Sequence, residues 1–165
     1  MSSTVEKTIP INQDVQAGKK KEAAELRAAM GLRGTLVVNL VSSPGSGKTS
    51  LLEATVRFWD GKHRMAVLVG DIATDRDAQR LAPWVPVQQL TTGGACHLEL
   101  ELVKRGLAML PDADFEFFFI ENIGNLVCPA SHDLAEHVRV VYGIEAWCQW
   151  LELQRAAYTD PKRVF

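Results

Sequence analysis

Ser42-Ser43-Pro44-Gly45-Ser46-Gly47-Lys48-Thr49 lies where a short apolar run, Thr35–Val41 (TLVVNLV), gives way to a helical pattern starting near Lys48. A strand that turns into a helix through two glycines can point several backbone N–H groups inward around a polyphosphate, because Gly45 and Gly47 carry no obstructing side chains. Lys48 then reaches the terminal phosphates, Thr49 puts its hydroxyl on Mg²⁺, and the following helix adds its positive end. Gly45, Ser46, Gly47, Lys48, Thr49 and Ser50 form the expected nucleotide-binding set of this loop. The pattern G-x-x-x-x-G-K-[ST] asks for glycine first; this chain has Ser42.

Outward from the loop, apolar runs and helical stretches alternate. The helix after Thr49 runs to about Trp59, with Leu51, Leu52, Ala54, Thr55 and Phe58 as its expected inner face. Met65–Val69, Val85–Leu90, Phe115–Ile120 and Val138–Tyr142 read as further strands. Asp75–Leu81, Cys96–Leu110 and Glu145 to about Tyr158 read as helices. Apolar strands in register with intervening helices imply an α/β fold, a doubly wound and mostly parallel sheet of the P-loop NTPase type. Its ligands belong at the carboxyl ends of the strands. Residues 1–34 divide off as a polar segment and an amphipathic helix (Ala23, Leu26, Ala29, Met30) stopped by Gly31; residues 35–165 form the nucleotide- and metal-binding domain. The Lys19-Lys20-Lys21 run reads as a solvated helix face.

Composition narrows the function classes. The 165 residues suit one domain, and 47% hydrophobic with 23% charged residues is ordinary for a globular chain. Eighteen basic against 20 acidic residues give a net charge of −2, which offers no global attraction to nucleic acid or to an anionic membrane. No window has the length of apolar sequence that a membrane span needs, and the start shows no signal-peptide core, so a cytoplasmic location is expected. Three cysteines are too few and too odd a number for a disulfide framework.

Hydrolytic groups should come from the other strand ends. Gly70-Asp71-Ile72-Ala73-Thr74-Asp75 follows one strand and Glu121-Asn122-Ile123-Gly124 another. Carboxylates there can hold the Mg²⁺ shell and orient the attacking water, and Glu121 with Gly124 has the spacing of a switch whose glycine N–H meets the γ-phosphate. Lys48, Asp75 and Glu121 are the expected catalytic residues, Asp71 and Gly124 further nucleotide contacts. Asp77 reads as an ordinary first-turn acid. Cys96 and His97 stand at the start of one helix, and Cys128 lies just beyond the Glu121–Gly124 turn; topology allows all three to converge beside the nucleotide. Thiolate with imidazole selects Zn²⁺, Ni²⁺ or Cu, and three ligands are one short of a closed tetrahedron. Either water or a second subunit completes the shell. His132 reads as a surface histidine with an auxiliary ligand role as the alternative, and Cys148 as a core residue.

Ser43-Pro44-Gly45-Ser46-Gly47-Lys48-Thr49, Gly70-Asp71-Ile72-Ala73-Thr74-Asp75, Thr92-Gly93-Gly94-Ala95-Cys96-His97-Leu98 and Glu121-Asn122-Ile123-Gly124-Asn125-Leu126-Val127-Cys128-Pro129-Ala130 together resemble the HypB hydrogenase-maturation GTPases, from about Leu36 to Val141. The resemblance implies a nickel-handling GTPase whose cofactors are GTP, Mg²⁺ and Ni²⁺ or Zn²⁺, with metal ligands carried onto Cys96, His97 and Cys128. It also implies a GTP-favoured homodimer, a HypA-type metallochaperone as partner, and nickel delivery to the large subunit of [NiFe]-hydrogenase. Two departures stand out. No Cys precedes Cys96 and no His precedes His63, so a nickel-storage tail is not expected; and no Asn-Lys-x-Asp guanine motif occurs, so the base-recognition region is expected to be lacking. The alternatives are a non-catalytic metal-binding module derived from such a GTPase, and an ATP-using P-loop enzyme.

Overall fold

Five apolar runs form the strands β1 (Leu36–Ser42), β2 (Met65–Asp71), β3 (Val87–Thr91), β4 (Phe117–Glu121) and β5 (Val138–Tyr142). Every pairing is parallel, in the order β3-β2-β4-β1-β5. The computed structural model describes residues 11–72 and 75–143. The helices are α1 (Ile11–Leu32), α2 (Lys48–Trp59), α3 (Arg76–Leu81) and α4 (Leu100–Met109), and a 3₁₀ turn spans Cys128–Ser131.

The central strands are apolar on both faces because both are covered. On one face, Val38, Leu40, Met65, Val67 and Val69 pack with Leu52 and Val56 of α2 and Ala78 and Leu81 of α3. On the other, Val37, Leu68, Phe118 and Ile120 pack with Met30 of α1 and Val103 of α4. At roughly 1.5–3 kcal/mol for each large side chain taken out of water, these two layers fix the sheet order and bring the carboxyl ends of β1, β2 and β4 together.

The doubly wound parallel sheet matches the sequence reading; several details do not. The inner stripe of α2 is Lys48, Thr49, Leu52 and Val56. Phe58 is 82% exposed, and Leu51 and Ala54 also face solvent, so of the expected inner face Leu52 is buried and these three are not. Gly31 does not stop α1: the helix continues to Leu32, and the residue with left-handed backbone is Gly34 (φ 75°). Gly31 lies instead where an added Cβ would stand 3.3 Å from His137 Nε2. The helix read from Cys96 begins only at Leu100, after an extended Glu99, so Cys96 and His97 belong to the loop before it. β3 and β4 each begin two residues later than read. The segment from Glu145 to Tyr158, with Cys148, lies outside the described residues.

Candidate functional site

The phosphate loop joins β1 to α2. Gly45 and Gly47 have φ of 70° and 90°, a region that L side chains rarely enter, and Gly47 is the cap residue of α2. No side chain caps the helix, so its first-turn N–H groups carry no side-chain acceptor at the place where a phosphate belongs. Lys48 and Thr49 are both buried. Lys48 Nζ donates to Ser42 Oγ at 2.7 Å, and Ser46 Oγ donates to the same oxygen at 2.5 Å.

The carboxyl end of β4 supplies the partner. Thr49 Oγ1 donates to Glu121 Oε1 at 2.7 Å, while Glu121 Oε2 is buried without a hydrogen-bond partner. Burial pushes the Glu121 carboxyl up to about 7, against the pull of the Thr49 hydroxyl and the Lys48 charge. Burial likewise lowers Lys48 from its ordinary value, with Glu121 and Asp77 opposing. An orphaned carboxylate oxygen beside a threonine hydroxyl is oxygen chemistry suited to Mg²⁺, which takes one or two protein oxygens and keeps its remaining coordination for water and phosphate. Gly124 lies against the loop itself: a Cβ there would stand 2.8 Å from Pro44 Cα.

The other carboxylates are less intimate. Asp71 ends β2 half-buried, its Oδ1 accepting from the Ile72 N–H at 2.5 Å. Asp75 is exposed at the start of α3 and accepts from Gln79 Nε2 at 2.7 Å. Asp77, read from sequence as a bland helix acid, acts electrostatically on both Lys48 and Glu121 and pairs with Arg80 at 3.7 Å. The signal that could have raised it is its place after the β2 loop, two residues beyond Asp75.

Two strand-end loops bring the thiols together. Cys96 Sγ and Cys128 Sγ are 2.9 Å apart, and His97 Nδ1 is 3.9 Å from Cys96 Sγ. Cys96 is exposed, and its hydrogen bond with Cys128 raises the thiol above its ordinary value. His97 Nε2 is buried without a hydrogen-bond partner, 3.9 Å from Glu99 Oε1. Burial, then the neighbouring His132, lowers the His97 imidazole. His132 is half-buried, not a surface residue: its ring stacks on His97 at 3.9 Å, and its Nδ1 lies 2.9 Å from the Cys128 carbonyl. The set is two thiols in contact with an imidazole alongside; among the described residues no group of three or more His, Cys, Asp or Glu is placed to hold a metal ion.

A buried polar network that sequence reasoning missed runs between the two centres. Asn122 Nδ2 donates to Asn39 Oδ1 at 3.2 Å, and Asn39 Nδ2 to Glu136 Oε1 at 3.3 Å. Arg139 binds Glu136 and, at 2.6 Å, the His132 carbonyl. Asn39 sits mid-strand and is fully buried, a position where only a partnered amide is tolerated. Its partner is about a hundred residues away, so no local pattern announces it. A cleft of about 410 Å³ between α1 and α4, lined by Leu26, Met30, Leu107 and Phe115, touches none of these groups.

Residues 36–147 match the family model "CobW/HypB/UreG, nucleotide-binding domain". The chain is 47% identical over 131 residues to hydrogenase maturation factor HypB of Azotobacter vinelandii, covering 79% of this chain and 43% of that protein. It is 44% identical over 140 residues to the hydrogenase/urease maturation factor HypB of Helicobacter hepaticus, covering 82% and 57%. The crystal structure of HypB from Helicobacter pylori in complex with nickel superposes with a TM-score of 0.70 at 40% identity, over 75% of this chain and 59% of that one. HypB from Archaeoglobus fulgidus gives 0.69 at 33% identity, over 77% and 62%. The chain therefore spans about half the length of the curated relatives it matches. Motif, fold and family model agree, and the chain belongs to the CobW/HypB/UreG family of nucleotide-binding domains.

Proposed function

We propose that this domain is a GTP-hydrolysing nickel chaperone that serves [NiFe]-hydrogenase maturation, its nucleotide state governing how two copies hold the metal. One observation carries the reading. The loop from Glu121 to Cys128 touches both centres: Gly124 lies against Pro44 of the phosphate loop, and Cys128 meets Cys96 at 2.9 Å. Asn125 Nδ2 adds a bond to the Cys96 carbonyl at 3.4 Å. A phosphate that shifts Gly124 must also shift the thiol that follows it four residues later.

Lys48 and the N–H groups opening α2 bind the phosphates, while Thr49 and Glu121 hold Mg²⁺. When bound, Mg²⁺ neutralises charge on the phosphate oxygens. Asp71 and Asp75 flank the site and orient water, with Asp77 setting the field around Lys48 and Glu121. Cys96, Cys128 and His97 hold Ni²⁺ or Zn²⁺ as cargo. These three ligands are one short of a closed tetrahedral shell, and the same residues of a second copy complete it. A HypA-type metallochaperone and the hydrogenase large subunit stand before and after this step. Among the described residues no helix is long and apolar enough to cross a membrane, and a cytoplasmic site of action fits that reading.

The base is tested directly. The chain carries no Asn-Lys-x-Asp motif to read the base, so the measurement is competition for the Mg²⁺-dependent site, where stronger displacement of a fluorescent guanine nucleotide by GTP than by ATP supports the reading. Equal displacement would assign the site to an ATP-using enzyme.

A further inference from the structure

We propose that Ser42 is a positioning residue for Lys48: its buried hydroxyl anchors one N–H of the ammonium and holds the phosphate-binding cation at a fixed place on the floor of the loop. The proposal rests on the phosphate-loop reading above and accounts for the departure from glycine at the loop's first position.

Ser42 ends β1 and is fully buried. Its hydroxyl accepts from Lys48 Nζ at 2.7 Å and from Ser46 Oγ at 2.5 Å, and donates to the Ser43 carbonyl at 3.0 Å. A hydroxyl has one donor and two acceptor lone pairs, so all of its capacity is used within the loop. It is a fully satisfied node whose bonds tie residue 42 to residues 46 and 48. The lysine is the flexible member of the set, a compact charge on a four-carbon stem. Its three donors are not exhausted by one hydroxyl, and two remain for phosphate oxygens. Fixing the stem beforehand removes part of the ordering cost that binding would otherwise meet. Burial makes the anchor matter more, since a desolvated ammonium needs a partner on the protein side. Glycine, which the motif asks for, has no side chain with which to make this bond. The Ser46 tie holds the span that must wrap the phosphates, so the same hydroxyl shapes both the loop and its cation.

The test is a double-mutant cycle with GTPγS·Mg²⁺ binding by calorimetry and steady-state GTP hydrolysis. Inorganic tripolyphosphate·Mg²⁺ serves as a base-free probe. Ser42→Ala and Ser42→Gly both delete the hydroxyl, and melting curves identify any variant that fails to fold. Both are expected to bind about tenfold or more weakly, the scale of a hydrogen bond to a charged group. The loss should fall mainly on KM, because an anchored ammonium meets the phosphates in ground and transition states alike. In a Lys48→Ala background the same substitutions should change affinity by less than about twofold. The proposal is overturned if both folded variants bind like the unsubstituted protein, or if their loss persists undiminished without Lys48, which is the mark of a merely structural role. A parent protein that binds neither GTPγS nor tripolyphosphate brings down the phosphate-loop reading and this inference with it. Parent binding with indifferent Ser42 variants brings down the inference alone.

Discussion

Glu121 shows how a strand end becomes chemistry. Its carboxylate is 4% exposed, takes the Thr49 hydroxyl on one oxygen and leaves the other without a partner. Replacing either Lys48 by Ala or Glu121 by Gln should lower the hydrolysis rate by about 10²–10³, the scale on which one fixed stabilising group contributes. Single-turnover kinetics with excess protein checks this; a variant within threefold of the parent would remove that residue from the machinery. Gly124 is a different kind of residue, needed for what it lacks. A Cβ would strike the Pro44 backbone at 2.8 Å, so Gly124→Ala must displace the loop and should weaken nucleotide binding by about 1–3 kcal/mol, read by calorimetry. At this scale the sequence was readable where a local motif sets the geometry, as in the left-handed Gly45 and Gly47 before Lys48 and Thr49. It was silent on Asn39 and Glu136, whose contacts only folding creates, and it gave Asp77 its place in the first turn of α3 without its reach toward Lys48 and Glu121.

Helix α2 shows where pattern and packing part. Leu51, Ala54 and Phe58 sit at helical spacing and invite burial, yet the buried stripe is Lys48, Thr49, Leu52 and Val56. Periodicity counts apolar residues; it could not know that the lysine and threonine of the motif must point inward to meet Glu121 and Ser42. The two assignments differ measurably. Leu52→Ala should cost about 2–5 kcal/mol in urea unfolding, whereas Phe58→Ala should stay within about 0.5 kcal/mol. The start of α4 was misread for a related reason: Cys96 and His97 precede an apolar helix stripe but are held in a loop, His97 by its stack on His132 and Cys96 by its contact with Cys128. The strand elements carry a second test. Glu136 is 8% exposed and takes bonds from Asn39, Arg139 and the Leu134 N–H. Glu136→Ala leaves these donors unpaired and should destabilise the fold by about 3 kcal/mol. Retained stability would mean that the network is ornamental.

Over the whole molecule, the order β3-β2-β4-β1-β5 sets the phosphate loop at the end of β1 next to the Glu121 loop at the end of β4. That adjacency places one loop, from Glu121 to Cys128, against both the phosphate loop and the Cys96 thiol. The parallel sheet was legible because buried strands leave continuous apolar runs, and the convergence of Cys96 with Cys128 because both follow strand ends. The strand order was not, since every link in it is a contact between distant segments. The central claim is that nucleotide and metal sites are coupled, and titration of the full chain with Ni²⁺, with and without GTPγS·Mg²⁺, tests it most directly. The account predicts that GTPγS changes nickel affinity at least about fivefold, the lower end of ordinary coupling free energies, with one ion per two chains. Cys96→Ala and Cys128→Ala should each abolish that binding. Identical nickel isotherms with and without GTPγS, at nucleotide concentrations shown to saturate the site, would contradict it.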